Sequence, residues 1–150
     1  MFGSDFRRDR FASDINVHLN YGYTVLRSAL ARAIVETGLV PAIGVGHVNA
    51  RNNFCLVDDL MEPFRPMFDR LVWSQRETWG VEEFAADHRI ALAGIMQGYV
   101  QMERSTATLY KAMTVLTASL AAVFEGSSAK LTLPISIDLL DSVESEIERT

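Results

Sequence analysis

From Ile15 onward, apolar residues return at three- and four-residue steps: Ile15, Leu19, Tyr23, Leu26, Leu30 and Ile34. That is the period of an amphipathic helix, since a strand would alternate every second residue. Ser13 is a good N-cap and Asp14 complements the first turn, while Gly38 after Thr37 is a natural C-terminal stop. Val17, Tyr21, Val25, Ala29, Ala33 and Val35 add a second apolar face. A helix apolar on most sides belongs inside a helical assembly.

The period then stops. Residues 39–57 (LVPAIGVGHVNARNNFCLV) hold Pro41, Gly44, Gly46 and three Asn without a sustained repeat. A connection this long within a compact domain is either functional or disordered, and apolar residues on both sides of His47 argue for an ordered loop. A second helix is expected from Asp58 or Asp59 to near Thr78, burying Leu60, Phe64, Met67, Phe68, Leu71 and Val72. Pro63 and Pro66 suit it only in its first turns, where a missing N–H costs little, which favours a start just before Pro63. A short helix over 87–99 and a longer one from about Glu103 to Glu125 follow, the latter closed by Gly126. Lys130 to Ile137 reads as an extended segment or short strand around Pro134, and the acidic tail from Asp138 as a frayed helix. The expected fold class is therefore all-α: a helical bundle-like unit with a long ordered loop between the first two main helices.

Composition narrows the class. A length of 150 residues suits one domain with a single core. With 49% apolar residues, four Pro and nine Gly, a disordered tail and a collagen-like repeat are excluded. No apolar run reaches the roughly 18 residues of a membrane span, and Asp5, Arg7, Arg8, Asp9 and Arg10 leave no signal-peptide core near the start. The expectation is a cytoplasmic protein with no membrane partner. Cys55 is the single cysteine, so no intramolecular disulfide forms, as fits a reducing compartment.

The net charge of −5 argues at face value against a nucleic-acid partner. Its distribution weakens that argument. Residues 1–76 carry nine Arg against eight acids, whereas residues 77–150 carry five basic residues against eleven acids. The basic residues of the first half are all Arg, the side chain that grips phosphate in a bidentate manner. A general preference for Arg over Lys would produce the same pattern.

Of the three histidines, His18 sits within the first helix beside Leu19 as a packed or half-exposed core residue, and His88 beside Asp87 reads as solvated. His47 lies in the long loop, with Asp58, Asp59 and Glu62 soon after. Asp59 and Glu62 are spaced i, i+3 and share a helix face. One imidazole and two carboxylates form a mixed N/O set suited to Mn²⁺ or Mg²⁺. Carboxylates in the first turn of a helix also cap it without any metal, and spacing alone leaves both readings open. The chain holds no P-loop, G-x-G-x-x-G, G-x-S-x-G or H-E-x-x-H motif. Cys55 has no orienting partner and reads as inert.

Several motifs then occur together and in order. LNYGY (Leu19–Tyr23) lies in the first helix; a G-x-x-P-A-x-G turn (Gly38–Gly44), a His-x-Asn loop (His47–Asn49) and DDLMEPFRP (Asp58–Pro66) follow. With SLAAVFEGSSAKLTLP (Ser119–Pro134), they cover nearly the whole chain. This combination resembles the helical lobe of the CRISPR-associated protein one family, the metal-dependent integrases that insert spacer DNA into CRISPR arrays, in the form found with type II systems.

The resemblance implies an endonuclease and integrase that directs a 3′-hydroxyl onto a phosphodiester, with Mg²⁺ or Mn²⁺ as cofactor. His47 and Glu62 fall on two metal ligands, and Asp59 on a nearby acid of the catalytic set. It implies DNA partners (prespacer and repeat), a homodimer in the full-length family, and CRISPR-associated protein two. Arg51 and Arg65 are the nearest candidates for DNA contact, although Arg65 could instead pair with Asp69 four residues on. The family's third ligand, a Glu, precedes an L-F-G-x-D-F stretch, and this chain begins within that stretch, at Met1-Phe2-Gly3-Ser4-Asp5-Phe6. Residues 1–150 are thus expected to be the C-terminal catalytic lobe, without the N-terminal β-domain and its Glu; neither Glu36 nor Glu103 has a motif that marks it as a substitute. The alternative expectation is a non-catalytic DNA-binding or assembly fragment.

Overall fold

The computed structural model describes residues 15–46, 49–80 and 83–140. The Ser13 cap, His47 and the tail beyond Leu140 lie outside the described residues.

Helix α1 (Ile15–Glu36) is the axis of the fold. It is packed by α2 (Cys55–Met61), α3 (Arg65–Ser74), α5 (Ala86–Gly94) and α6 (Leu109–Phe124). That accounts for its wide apolar surface: Leu19, Tyr23, Leu26, Leu30, Ala33 and Ile34 are all buried in one core. Gly22 lets α3 come close, because a Cβ there would lie 2.7 Å from Phe68 Cδ1. Gly38, at φ 78°, ends α1 as expected: its N–H donates to Val35 O at 3.0 Å and that of Leu39 to Ile34 O at 3.0 Å. This left-handed residue satisfies two otherwise open carbonyls of the last turn.

The expected second helix is divided into three. α2 begins at Cys55 and ends at Met61; α3 follows from Arg65, and α4 (Arg76–Trp79) adds one further turn. Pro63 causes the first division, since it has no N–H for a helical bond and its ring clashes with the carbonyl four residues back. Pro66 then sits in the first turn of α3, where it is tolerated. Both ends of the break are well buried through Leu60, Met61, Phe64, Met67 and Phe68.

The long helix expected from Glu103 starts later, at Leu109. Before it, β1 (Tyr99–Gln101) and β2 (Thr106–Thr108) pair antiparallel, with Val100 opposite Ala107. The β-branched Thr106 and Thr108 favour extension, and Thr108 doubles as N-cap, its side chain accepting from Lys111 N–H at 3.3 Å. The 87–99 segment is likewise shorter than expected: α5 passes into a 3₁₀ turn at Ile95–Gln97 and Tyr99 joins the sheet. β3 (Ser136–Leu140) pairs antiparallel with β1, giving the order β2-β1-β3, so Asp138–Leu140 are strand rather than helix. The fold remains mainly helical, and the small sheet covers one end.

Two buried histidines brace the far side of α1. His18 Nε2 lies 3.0 Å from His88 Nδ1, and the His18 ring stacks on Trp79 at 5.0 Å. His18 is packed as the sequence suggested. His88 is not solvated: its Nδ1 also accepts from Ala85 N–H at 3.3 Å, and Trp79 and Phe84 enclose it.

Candidate functional site

Residues 39–54 form an ordered loop wherever it is described, folded back on the start of α2. Leu56 N–H donates to Pro41 O at 2.9 Å, and the Cys55 thiol reaches the carbonyls of Asn52 and Asn49 at 3.3 and 3.5 Å. Cys55 is 1% exposed, a structural thiol rather than a nucleophile on display. Asn49 and Asn52 build turns: their side-chain oxygens accept from the N–H groups of Arg51 and Phe54, each at 3.0 Å.

The two consecutive aspartates of α2 diverge. The Oδ2 of Asp59 accepts from the N–H groups of Val45 and Gly46 at 2.7 and 2.8 Å. Asp58 faces α1, where its two oxygens meet Arg27 Nε and Nη2 at 3.0 and 3.1 Å. Asp58 Oδ2 also accepts from Asn52 Nδ2 at 2.8 Å, and the Arg27 guanidinium lies 4.7 Å over the Phe54 ring. Sequence reasoning missed Arg27; a charged residue within the mostly apolar stretch of α1 was the signal that could have found it.

Glu62 is the C-cap of α2, one helical turn beyond Asp59. The capping alternative therefore does not explain Glu62, because a helix dipole disfavours a carboxylate at the C-terminal end. The Glu62 side chain is 58% exposed and pairs with Arg65 Nη2 at 3.2 Å. Arg65 thus reaches back to Glu62 rather than on to Asp69, whose carboxylate takes the Tyr23 hydroxyl instead. The Arg65 guanidinium also lies 5.2 Å over the Tyr23 ring. Arg51 is exposed in its turn, and among the described residues its guanidinium meets no acceptor.

The structure therefore holds the chain on both sides of His47 to α2 through Asp58 and Asp59, one turn ahead of Glu62, while Arg65 pairs with Glu62 and Arg51 is exposed. Glu62 offers an exposed carboxylate, an oxygen donor of the kind that suits a hard divalent ion. Among the described residues no three His, Cys, Asp or Glu side chains cluster as a complete metal site. An open cavity of about 450 Å³ between α1, the 3₁₀ turn and α6, lined by Tyr21, Arg32, Met96 and Tyr110, contains none of these residues.

The fold has a counterpart among solved structures. The structure aligns over 99% of its length with a casposase bound to integration product (TM-score 0.72, 22% identity), covering 48% of that chain. The model of the family "CRISPR associated protein Cas1" matches residues 2–97, and the chain belongs to that family. Among its relatives, a CRISPR-associated endonuclease Cas1 of Neisseria meningitidis serogroup C (strain 8013) is 43% identical over 72 residues. That match takes in 48% of this chain and 23% of the relative. Another from Korarchaeum cryptofilum (strain OPF8) is 43% identical over 60 residues, which are 40% of this chain and 18% of the relative. The chain thus matches about a fifth to a quarter of these relatives' length. No helix among the described residues is long and apolar enough to cross a membrane.

Proposed function

We propose that this chain is the helical catalytic lobe of a CRISPR-adaptation integrase, which joins a DNA 3′-hydroxyl to a phosphodiester of the repeat. The observation that carries the reading is the family match through residues 2–97, which spans every expected site residue. The casposase of matching fold was captured with an integration product, which supports DNA as the ligand.

In this reading His47 and Glu62 hold Mg²⁺ or Mn²⁺, with Asp59 as the adjacent acid. When bound, the ion stabilises negative charge on the attacked phosphate and on the attacking or leaving oxygen. Glu62 presents an exposed carboxylate and Arg65 keeps it oriented. Arg51 and Arg65 supply positive charge to the DNA backbone, so affinity is largely electrostatic and independent of sequence. The β-domain with its Glu, the homodimer, CRISPR-associated protein two and a cytoplasmic location belong to the same proposal.

The test is Mn²⁺-dependent joining of a 3′-hydroxyl strand into branched DNA, by this chain alone and linked to a Glu-bearing β-domain of the family. The linked form is expected to join strands, and His47→Ala or Glu62→Ala to abolish joining. Joining that survives both substitutions would overturn the ligand assignment. DNA binding without joining in either form would support the second reading, a non-catalytic assembly fragment.

A further inference from the structure

Asp58 and Asp59 are neighbours in sequence, yet each holds a different side of the loop that contains His47. Asp59 takes the N–H groups of Val45 and Gly46, immediately before His47. Asp58 takes the Asn52 amide on the far side and fixes it to α1 through Arg27. Arg27 Nη2 also approaches Asn52 Oδ1 at 3.4 Å, which closes the triangle. The chain before and after His47 is thereby fastened to the first turns of α2, one turn ahead of Glu62.

We propose that Asp58 and Asp59 are positioning residues, a two-sided clamp that sets the His47 loop against α2 before any metal arrives. A loop without regular structure would otherwise sample many conformations, and each would have to be given up when the ligands converge. Charge-assisted bonds from backbone N–H groups to a carboxylate are among the stronger ones available for such a task. Asp59 then acts through the loop backbone rather than as a ligand. The consequence for metal binding rests on His47 and Glu62 being the ligands; the clamp itself is present in the metal-free chain.

The chemistry of Asp59 separates the two roles. Both N–H groups converge on one oxygen, Oδ2. An amide oxygen in the same place can accept both, so Asp59→Asn keeps the clamp while removing the charge that a ligand would need. Asp59→Ala keeps neither. Gly46→Ala approaches the contact from the other side, because its Cβ would lie 3.2 Å from Asp59 Oδ1 and crowd the carboxylate.

The experiment is hydrogen exchange of the Val45 and Gly46 amides in the metal-free chain, followed by Mn²⁺ titration monitored by electron paramagnetic resonance. Asp59→Ala is expected to speed exchange at both amides by roughly tenfold or more, the loss of two charge-assisted bonds. Asp59→Asn is expected to stay near the wild-type rate and to retain most of the Mn²⁺ affinity. Asp58→Ala is expected to speed exchange at Asn52 and Phe54 while leaving Val45 and Gly46 unchanged. Should Asp59→Ala fail to fold, faster exchange at residues 45 and 46 in Gly46→Ala reads the same contact. Unchanged amide exchange in Asp59→Ala and Gly46→Ala would overturn the clamp. Loss of Mn²⁺ binding in Asp59→Asn with its amides still protected would make Asp59 a ligand instead. Loss of Mn²⁺ binding in Glu62→Ala alone, with every amide intact, bears on the ligand assignment and not on the clamp.

Discussion

Arg51 lies in the loop before α2 and Arg65 at the start of α3, and they differ in what already occupies them. Arg65 is bound to Glu62 at 3.2 Å and covers the Tyr23 ring, whereas the Arg51 guanidinium meets no acceptor among the described residues. A cation without a prior partner gives more to a phosphate contact, because no existing ion pair has to be broken. Arg51→Ala should therefore weaken DNA binding evenly across sequences and reduce the slope of log affinity against log salt by about one. Arg65→Ala should change that slope less. Fluorescence anisotropy over a salt series checks both, and equal slopes for the two variants would count against the distinction. Spacing sets Asp59 and Glu62 one helical turn apart. It could not reveal that Arg65 turns back by three residues rather than forward by four, since both distances suit a helix and the choice depends on Tyr23 having taken Asp69. His88 was misread for a related reason: only the fold brings it 3.0 Å from His18, seventy positions away.

At the scale of elements, α1 was legible because its period is long and its stop, Gly38, is chemically distinct. The helix split at Pro63 was half legible, since proline marks the break but periodicity runs on across it. The β1–β2 hairpin was hidden within what reads as a helix start, and the third strand that secures it lies some thirty residues on. Long-range pairing of that kind leaves no local trace. The packing of α1 on α3 depends on one missing methyl group. Gly22→Ala would place a Cβ 2.7 Å from Phe68, and strain of this type costs about 1–3 kcal/mol. For a chain of this size, that is a fall in melting temperature of roughly 2–4 °C per kcal/mol, read by circular dichroism. An unchanged melting temperature would mean that α1 and α3 are less closely fitted than the structure shows.

For the whole molecule, family membership was legible in the order of a few short motifs, and the match to residues 2–97 agrees with it. The uneven charge also makes sense at this scale. The candidate site draws on the Arg-only first half, and most of the acids lie beyond it. What the sequence could not supply is how the loop is held, because hydrogen bonds from Asp58 and Asp59 to backbone and to Arg27 follow from the fold and not from spacing. Those bonds hold the chain on both sides of His47 to α2, one turn ahead of Glu62. The central claim is that His47 and Glu62 share one divalent ion there. Titrating Mn²⁺ into the wild-type chain, His47→Ala and Glu62→Ala, with bound ion followed by electron paramagnetic resonance, tests it most directly. Each substitution should weaken binding by roughly tenfold or more. Equal Mn²⁺ binding by all three proteins would contradict it.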